Sequence, residues 1–159
     1  MLEKIISGGQ TGADQGALDG AIACGLPHGG SIPAGRKTEA GRLPLSYEMR
    51  ELDSDHYPDR TERNVIDGDG TLILSHGPLT GGSALTEKIA ARLHKSCLHI
   101  DFNDAELAQA AREVSDWIER SGIRILNVAG PRASSDPGIY DLTRQLIYLL
   151  LDNTKRKAR

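Results

Sequence analysis

Three segments of this chain share one design: a short apolar run, a glycine-rich turn, and then a stretch with helical spacing. They are KIIS followed by GGQTGAD from Lys4, GTLILS followed by HGPLTGGS from Gly70, and IRILNV followed by AGPRASSDPG from Ile123. An apolar run of this length bounded by Gly or Ser reads as a buried strand. A strand that leads into a helix cannot pair with the next strand through a tight hairpin, so its neighbours must be parallel. Repeating β-loop-α units therefore predict an α/β fold in three layers, a mainly parallel sheet with helices on both faces. Right-handed crossovers then put every strand-to-helix loop at the same sheet edge.

The remaining elements follow from periodicity. Gln15 to Cys24 reads as a helix, with Ala17, Leu18, Ala21 and Ile22 inward and Gly25 as its stop. DRTER predicts a helix start at Asp59, with Glu62 at the capping-box position. Ser83 to His94 carries Leu85, Ile89 and Leu93 on one face, and Ser96 to Ile100 is a further strand. Asp104 to Ser121 has the clearest apolar stripe, Leu107, Ala110, Ala111, Val114, Trp117 and Ile118, and Gly122 ends it. A last helix is expected over Ile139 to Leu151. Residues 26 to 46 are rich in Pro and Gly and lack periodicity, apart from a short strand near His28 to Ile32. At 159 residues one domain is expected, over residues 1–152, with residues 153–159 a basic tail complementing the last helix terminus.

The three loops carry the candidate chemistry. Ligands of open parallel sheets bind outside the carboxyl ends of the strands. Glycines there let the main chain approach a ligand, and free amides at helix starts point at anions. The expected ligand residues are Gly9, Gln10, Thr11, Gly12 and Asp14 in the first loop, Thr80, Gly81, Gly82 and Ser83 in the second, and Gly130 and Arg132 in the third. Arg132 adds a planar fork suited to phosphate or molybdate-like oxyanions. Asp14 reads either as a helix N-cap or as a ligand contact, and Asp19 as a solvated charge. Arg36, in the long loop with Lys37, Glu39 and Arg42, is expected to reach the ligand from a lid-like segment. Arg60, Thr61 and Asn64 lie near a helix start that could face the same cleft. Glu87, one turn into the helix after the second loop, is the candidate acid–base residue, and His76 abuts that loop. The first loop lacks the Gly-Lys-Ser/Thr of a phosphate-binding Walker loop and is not G-x-G-x-x-G, which removes support for ATP hydrolysis and NAD binding.

Charge and composition exclude several alternatives. With 19 basic and 22 acidic residues the net charge is −3, so no nucleic-acid partner is expected. Cys24 and Cys97 stand far apart, no histidine pair has metal spacing, and no tightly bound metal is expected. The charged start MLEKIISGG does not fit a signal peptide, and no run approaches the roughly 18 apolar residues of a membrane span, which predicts a cytoplasmic protein. Sheet proteins of this type often dimerise through exposed helices, so a homo-oligomer is expected.

The stretches IISGGQTGADQGALDGA, PAGRKTEAGRLP, DGTLILSHGPLTGGSALT, NVAGPR and SSDPGIY together resemble the molybdenum carrier family. The resemblance runs over most of the chain and is weakest between Glu48 and Tyr57 and after Leu151. It implies a Rossmann-like fold and binding of molybdenum cofactor, its molybdopterin part, or a related anion through phosphate and oxo groups. It also implies distant kinship with the Lonely-guy and lysine-decarboxylase-like group. That group's Gly-Gly-x-Gly-Thr-x-x-Glu loop falls on Gly81 to Lys88, where Ala84, Leu85 and Lys88 replace its third Gly, Thr and Glu. A binding protein for a phosphorylated or oxyanionic small molecule is thus the leading expectation. The alternative is an enzyme acting on a nucleotide or phosphoribosyl compound by N-glycosidic hydrolysis.

Overall fold

The computed structural model describes residues 1–157. Its central sheet is built from β1 (Lys4–Ser7), β2 (His28–Gly29), β7 (Gly70–Ser75), β8 (Ser96–Asp101) and β9 (Ile125–Ala129). Their spatial order is β2-β1-β9-β7-β8, and every pairing is parallel. The last strand is thus inserted between the first and the seventh. The three strands with glycine-rich loops, β1, β9 and β7, are adjacent, so their loops emerge side by side.

Both sheet faces are covered, as an all-parallel sheet requires. On one face Ile5, Leu72, Leu74, Ile100, Leu126 and Val128 form the larger core with α1 (Ala13–Ala23), α4 (Leu107–Ser121) and α5 (Ile139–Lys157). On the other, Val65 of α2 (Tyr57–Asp67) packs with Ile89 and Ala90 of α3 (Gly81–Arg92). The segment before α2 carries four two-residue strands. β3 (Ser31–Ile32) pairs in parallel with β6 (Arg50–Glu51), and β4 (Lys37–Thr38) pairs antiparallel with β5 (Gly41–Arg42).

Several helix boundaries differ from the sequence expectation, each for a local reason. Helix α2 starts at Tyr57, because Pro58 suits the first turn, and no side chain caps it. The expected capping box is absent: the Asp59 carboxylate instead accepts the Ser54 hydroxyl at 2.5 Å. Helix α4 starts only at Leu107, since Asp104 and Ala105 turn back onto the Asp101 carbonyl. Helix α5 continues to Lys157, so residues 153–157 of the expected tail are helical, and Ala158 and Arg159 lie outside the described residues. Ile22, expected inward, is exposed. Gly122 does end α4 in the left-handed conformation, at φ 63°. No described helix is long and apolar enough to cross a membrane.

Helices α1 and α5 meet at a glycine seam. A Cβ on Gly16 would stand 2.6 Å from the Tyr140 carbonyl oxygen, and one on Gly20 would stand 2.8 Å from the Ile147 Cβ. Two effects oppose each other in Gly16→Ala. Helix propensity favours alanine by about 1 kcal/mol, while forcing a methyl against backbone costs about 1–3 kcal/mol. The clash is with a carbonyl that cannot rotate away, so the variant is expected to lose about 1 kcal/mol in urea unfolding. A gain in stability would contradict this packing.

Candidate functional site: a cavity at the carboxyl edge of the sheet

The three loops close around one cavity of about 600 Å³, a size suited to a small organic ligand. Its walls include Gly8, Gln10 and Asp14 from the first loop and α1, Thr80 to Ser83 at the start of α3, and Gly130 to Arg132 with Ser135 and Asp136 from the third loop. Helix α2 contributes Arg60, Thr61 and Asn64, and the strands contribute Ser75 and Asn127.

Among the residues expected at the ligand, Gln10, Asp14, Thr80, Gly81, Gly82, Ser83, Gly130 and Arg132 line this cavity. Gly9, Thr11, Gly12, Arg36 and Glu87 do not. Gly9 packs beneath the loop, where a Cβ would stand 2.9 Å from the Ile32 Cδ1. The Thr11 hydroxyl donates to Glu39 and accepts the Ala133 amide at 3.1 Å, joining the first loop to the third. Gly12, at φ 82°, allows the same junction, where a Cβ would overlap the Pro131 carbonyl oxygen. Arg36 is buried, and its guanidinium donates to the carbonyls of Leu43, Pro44 and Tyr47 at 2.8–3.0 Å. It braces the long loop instead of reaching the cavity. Glu87 is exposed and outside the cavity lining; its charge reaches the Cys97 thiol, whose pKa burial and that charge push up to about 11.

The sequence pattern suggests three equivalent donor loops, yet the structure leaves one helix start free. In the first loop, Ala13 N–H donates to the Pro131 carbonyl at 3.2 Å, Thr11 N–H to Gln10 Oε1 at 3.0 Å and Gln10 N–H to Asp14 Oδ2 at 3.2 Å. In the third, the Ser134 amide and hydroxyl donate to Glu39, at 3.1 and 2.5 Å, and the Ser135 and Asp136 amides donate to the Arg132 carbonyl. Those bonds hold the Glu39 carboxyl below the usual carboxylate range, Ser134 first and Thr11 next. At α3 the N-cap Thr80 makes no side-chain cap, and the first amides, Gly81 and Gly82, have no acceptor within the helix. One further donor is orphaned in the cavity wall: Gln10 Nε2 is buried without a partner, while its Oε1 accepts the Thr11 and Glu39 amides.

Two acid–base groups face the same space. The helix start before Asp14 is capped by Gly12, not by Asp14, whose carboxylate turns back onto the loop. Burial raises its pKa from 3.8 to about 6, against the opposing pull of Arg60, whose guanidinium lies 3.8 Å away, and of the Gln10 and Gly8 amides and Arg132. His76 Nδ1 lies 2.6 Å from Asp136 Oδ2, and the other Asp136 oxygen accepts the Gly138 amide at 3.2 Å. That pairing leaves Nε2 of the ring without a partner among the described residues. Asp136, Asn127, Ser75 and Thr86 carry no signal in the sequence beyond their place near a loop, because burial at a cavity wall is set by the fold. Asp19, expected in solvent, accepts the hydroxyls of Tyr47, at 2.7 Å, and Tyr140.

The Asp14 shift has a definite sign. The unfolded carboxyl ionises near 3.8 and the folded one near 6, so between those values the folded state binds more protons. Its contribution to stability therefore falls as pH rises from about 4 to 6 and stays reduced above, a cost of roughly 3 kcal/mol at neutral pH. Asp14→Asn is expected to match the parent protein at pH 4 and to exceed it by about 1–3 kcal/mol at pH 7 in urea titrations. A variant weaker than the parent at pH 7 would show that the ion pair with Arg60 dominates.

Comparison with known proteins adds two findings. Residues 5–151 match the circularly permutated YpsA SLOG family. A crystal structure at 1.45 Å of a protein from Syntrophus aciditrophicus SB, named "Putative molybdenum carrier protein", is 51% identical in sequence and superposes with a TM-score of 0.93, covering 94% of this chain and 95% of that one. No curated protein matches this chain.

Proposed function

This chain belongs to the circularly permutated YpsA SLOG family, and from that premise we propose that it is a binding protein that holds a phosphorylated or oxyanionic small molecule at the carboxyl edge of its sheet. The observation that carries this reading is Arg132. Arg132 lines the cavity together with Gly81 and Gly82 at the start of α3, and its guanidinium has no hydrogen-bond acceptor among the described residues. Its nearest carboxylate, Glu39, is 3.9 Å away and committed to Ser134 and Thr11. A forked donor held open beside a helix N-terminus suits the oxygens of a phosphoryl or tetraoxyanion group.

The relative from Syntrophus aciditrophicus carries the name of a molybdenum carrier, and a cofactor of that kind fits the donors present. Arg132, the Gly81 and Gly82 amides and Gln10 Nε2 would hold phosphate and oxo oxygens. No cluster of three or more His, Cys, Asp or Glu among the described residues could ligate a metal, so the hold would be on the ligand's oxygens. Isothermal titration with molybdate, inorganic phosphate and molybdopterin tests this: at least one is expected to give saturable binding, and a flat response to all three would overturn it.

A second reading, N-glycosidic hydrolysis of a nucleotide or phosphoribosyl compound, draws support from the His76–Asp136 pair and Asp14, not from Glu87. Incubation with nucleoside monophosphates is then expected to release base, and His76→Ala to slow the release while Glu87→Ala does not. Absence of released base in the parent protein would remove this reading.

A further inference from the structure

A cluster of cations stands at the edge of the cavity, where two of its members, Arg60 and Arg132, line the wall. The ring of Tyr57, at the start of α2, gathers three cations from three different elements: Lys37 Nζ of β4 lies 5.0 Å from its centroid, Arg60 Cζ of α2 5.4 Å and Arg132 Cζ of the third loop 5.7 Å. Each is within cation–π range, but three like charges around one ring repel one another.

Nearby carboxylates do not close this cluster. Asp14 meets Arg60 at 3.8 Å and Glu39 meets Arg132 at 3.9 Å, each as a single long contact. On the surface, by contrast, Arg124 sets both Nε and a terminal nitrogen on Glu3, at 2.9 and 2.6 Å. Arg60 gives one N–H to the Gly8 carbonyl at 2.6 Å. Lys37 has no carboxylate within 4 Å among the described residues. Arg60 and Arg132 therefore keep donors open at the wall of the cavity that also holds the buried, unpartnered Gln10 amide.

We infer that Lys37, Arg60 and Arg132 around Tyr57 form a second anion subsite at the mouth of the cavity, so that the site takes a ligand with two phosphoryl groups: one at the α3 N-terminus and one at this cluster. The inference rests on the phosphate-binding reading above and narrows its ligand class to diphosphates. The first group would meet main-chain amides and the second would relieve the repulsion among the cations. A ligand with one phosphoryl group would satisfy only half of the donors.

AMP and ADP differ by that one group and serve as the probes, with isothermal titration of the full chain as the readout. ADP is expected to bind about tenfold tighter than AMP or better, the scale of one charge-assisted hydrogen-bonded contact. Lys37→Ala, checked for an unchanged melting temperature, is expected to pull the ADP-to-AMP ratio toward one while leaving AMP binding in place. Equal binding of AMP and ADP by the parent protein would overturn the second subsite and leave the phosphate-binding reading standing. A ratio that survives Lys37→Ala would also overturn it. No binding of either AMP or ADP would overturn the subsite, while the reading beneath it stands or falls on the titrations with molybdate, inorganic phosphate and molybdopterin.

Discussion

Gly12→Val is expected to lower the melting temperature by about 10 °C and to abolish ligand binding. Gly12 has φ 82° and ψ −127°, a conformation that an L side chain occupies only under strain. The added Cβ would overlap the Pro131 carbonyl oxygen and stand 2.8 Å from the Ala133 nitrogen. Both obstacles are backbone, and the Ala13-to-Pro131 hydrogen bond at 3.2 Å ties them to α1. Backbone strain and overpacking each cost about 1–3 kcal/mol, and a chain of this size loses about 2–4 °C per kcal/mol. Gly82→Ala is the control for stability: nothing lies within 4 Å of its Cβ position and its φ is not positive. A circular-dichroism melt of Gly12→Val within 2 °C of the parent would refute the closeness of the first and third loops.

The second large effect is on affinity alone. Arg132→Ala is expected to weaken binding of a phosphorylated ligand by about 10–100-fold, the worth of charge-assisted hydrogen bonds to one guanidinium. Stability should change by under about 0.5 kcal/mol, because a partly exposed pair at 3.9 Å contributes little. Arg132→Lys should restore only part of the affinity, since an ammonium lacks the planar fork. Unchanged affinity in Arg132→Ala would remove the residue on which the proposed function rests.

The architecture was legible because its signals are local and repeated. GTLILS is buried at every position, as an apolar run between two helix-covered faces must be, and the stripe on α4 reads directly from its spacing. The meeting of three loops followed from topology, since parallel strands send all their helix-bound loops to one edge. What each loop does was not legible. Gly12 looks like a ligand-facing glycine in sequence but serves a contact with Pro131, which depends on β9 lying beside β1. Arg36 looks like a lid arginine but is used on three carbonyls of its own loop. Asn64 joins α2 to β3 and the end of β1, accepting the Ser31 amide at 2.7 Å and donating to the Ser31 and Ser7 carbonyls. Glu87 failed as a cavity residue by one position: on α3 it is Ser83 and Thr86 that turn inward. Long-range partners of polar side chains decide these cases, and single-sequence spacing does not encode them.

Diffraction at the molybdenum edge from crystals soaked in molybdate tests the account most directly, because the anomalous signal places the anion without reference to any expected site. A peak is expected inside the cavity, within hydrogen-bonding reach of the Gly81 and Gly82 amides or the Arg132 guanidinium. A peak elsewhere on the molecule with that position empty would contradict the shared anion site.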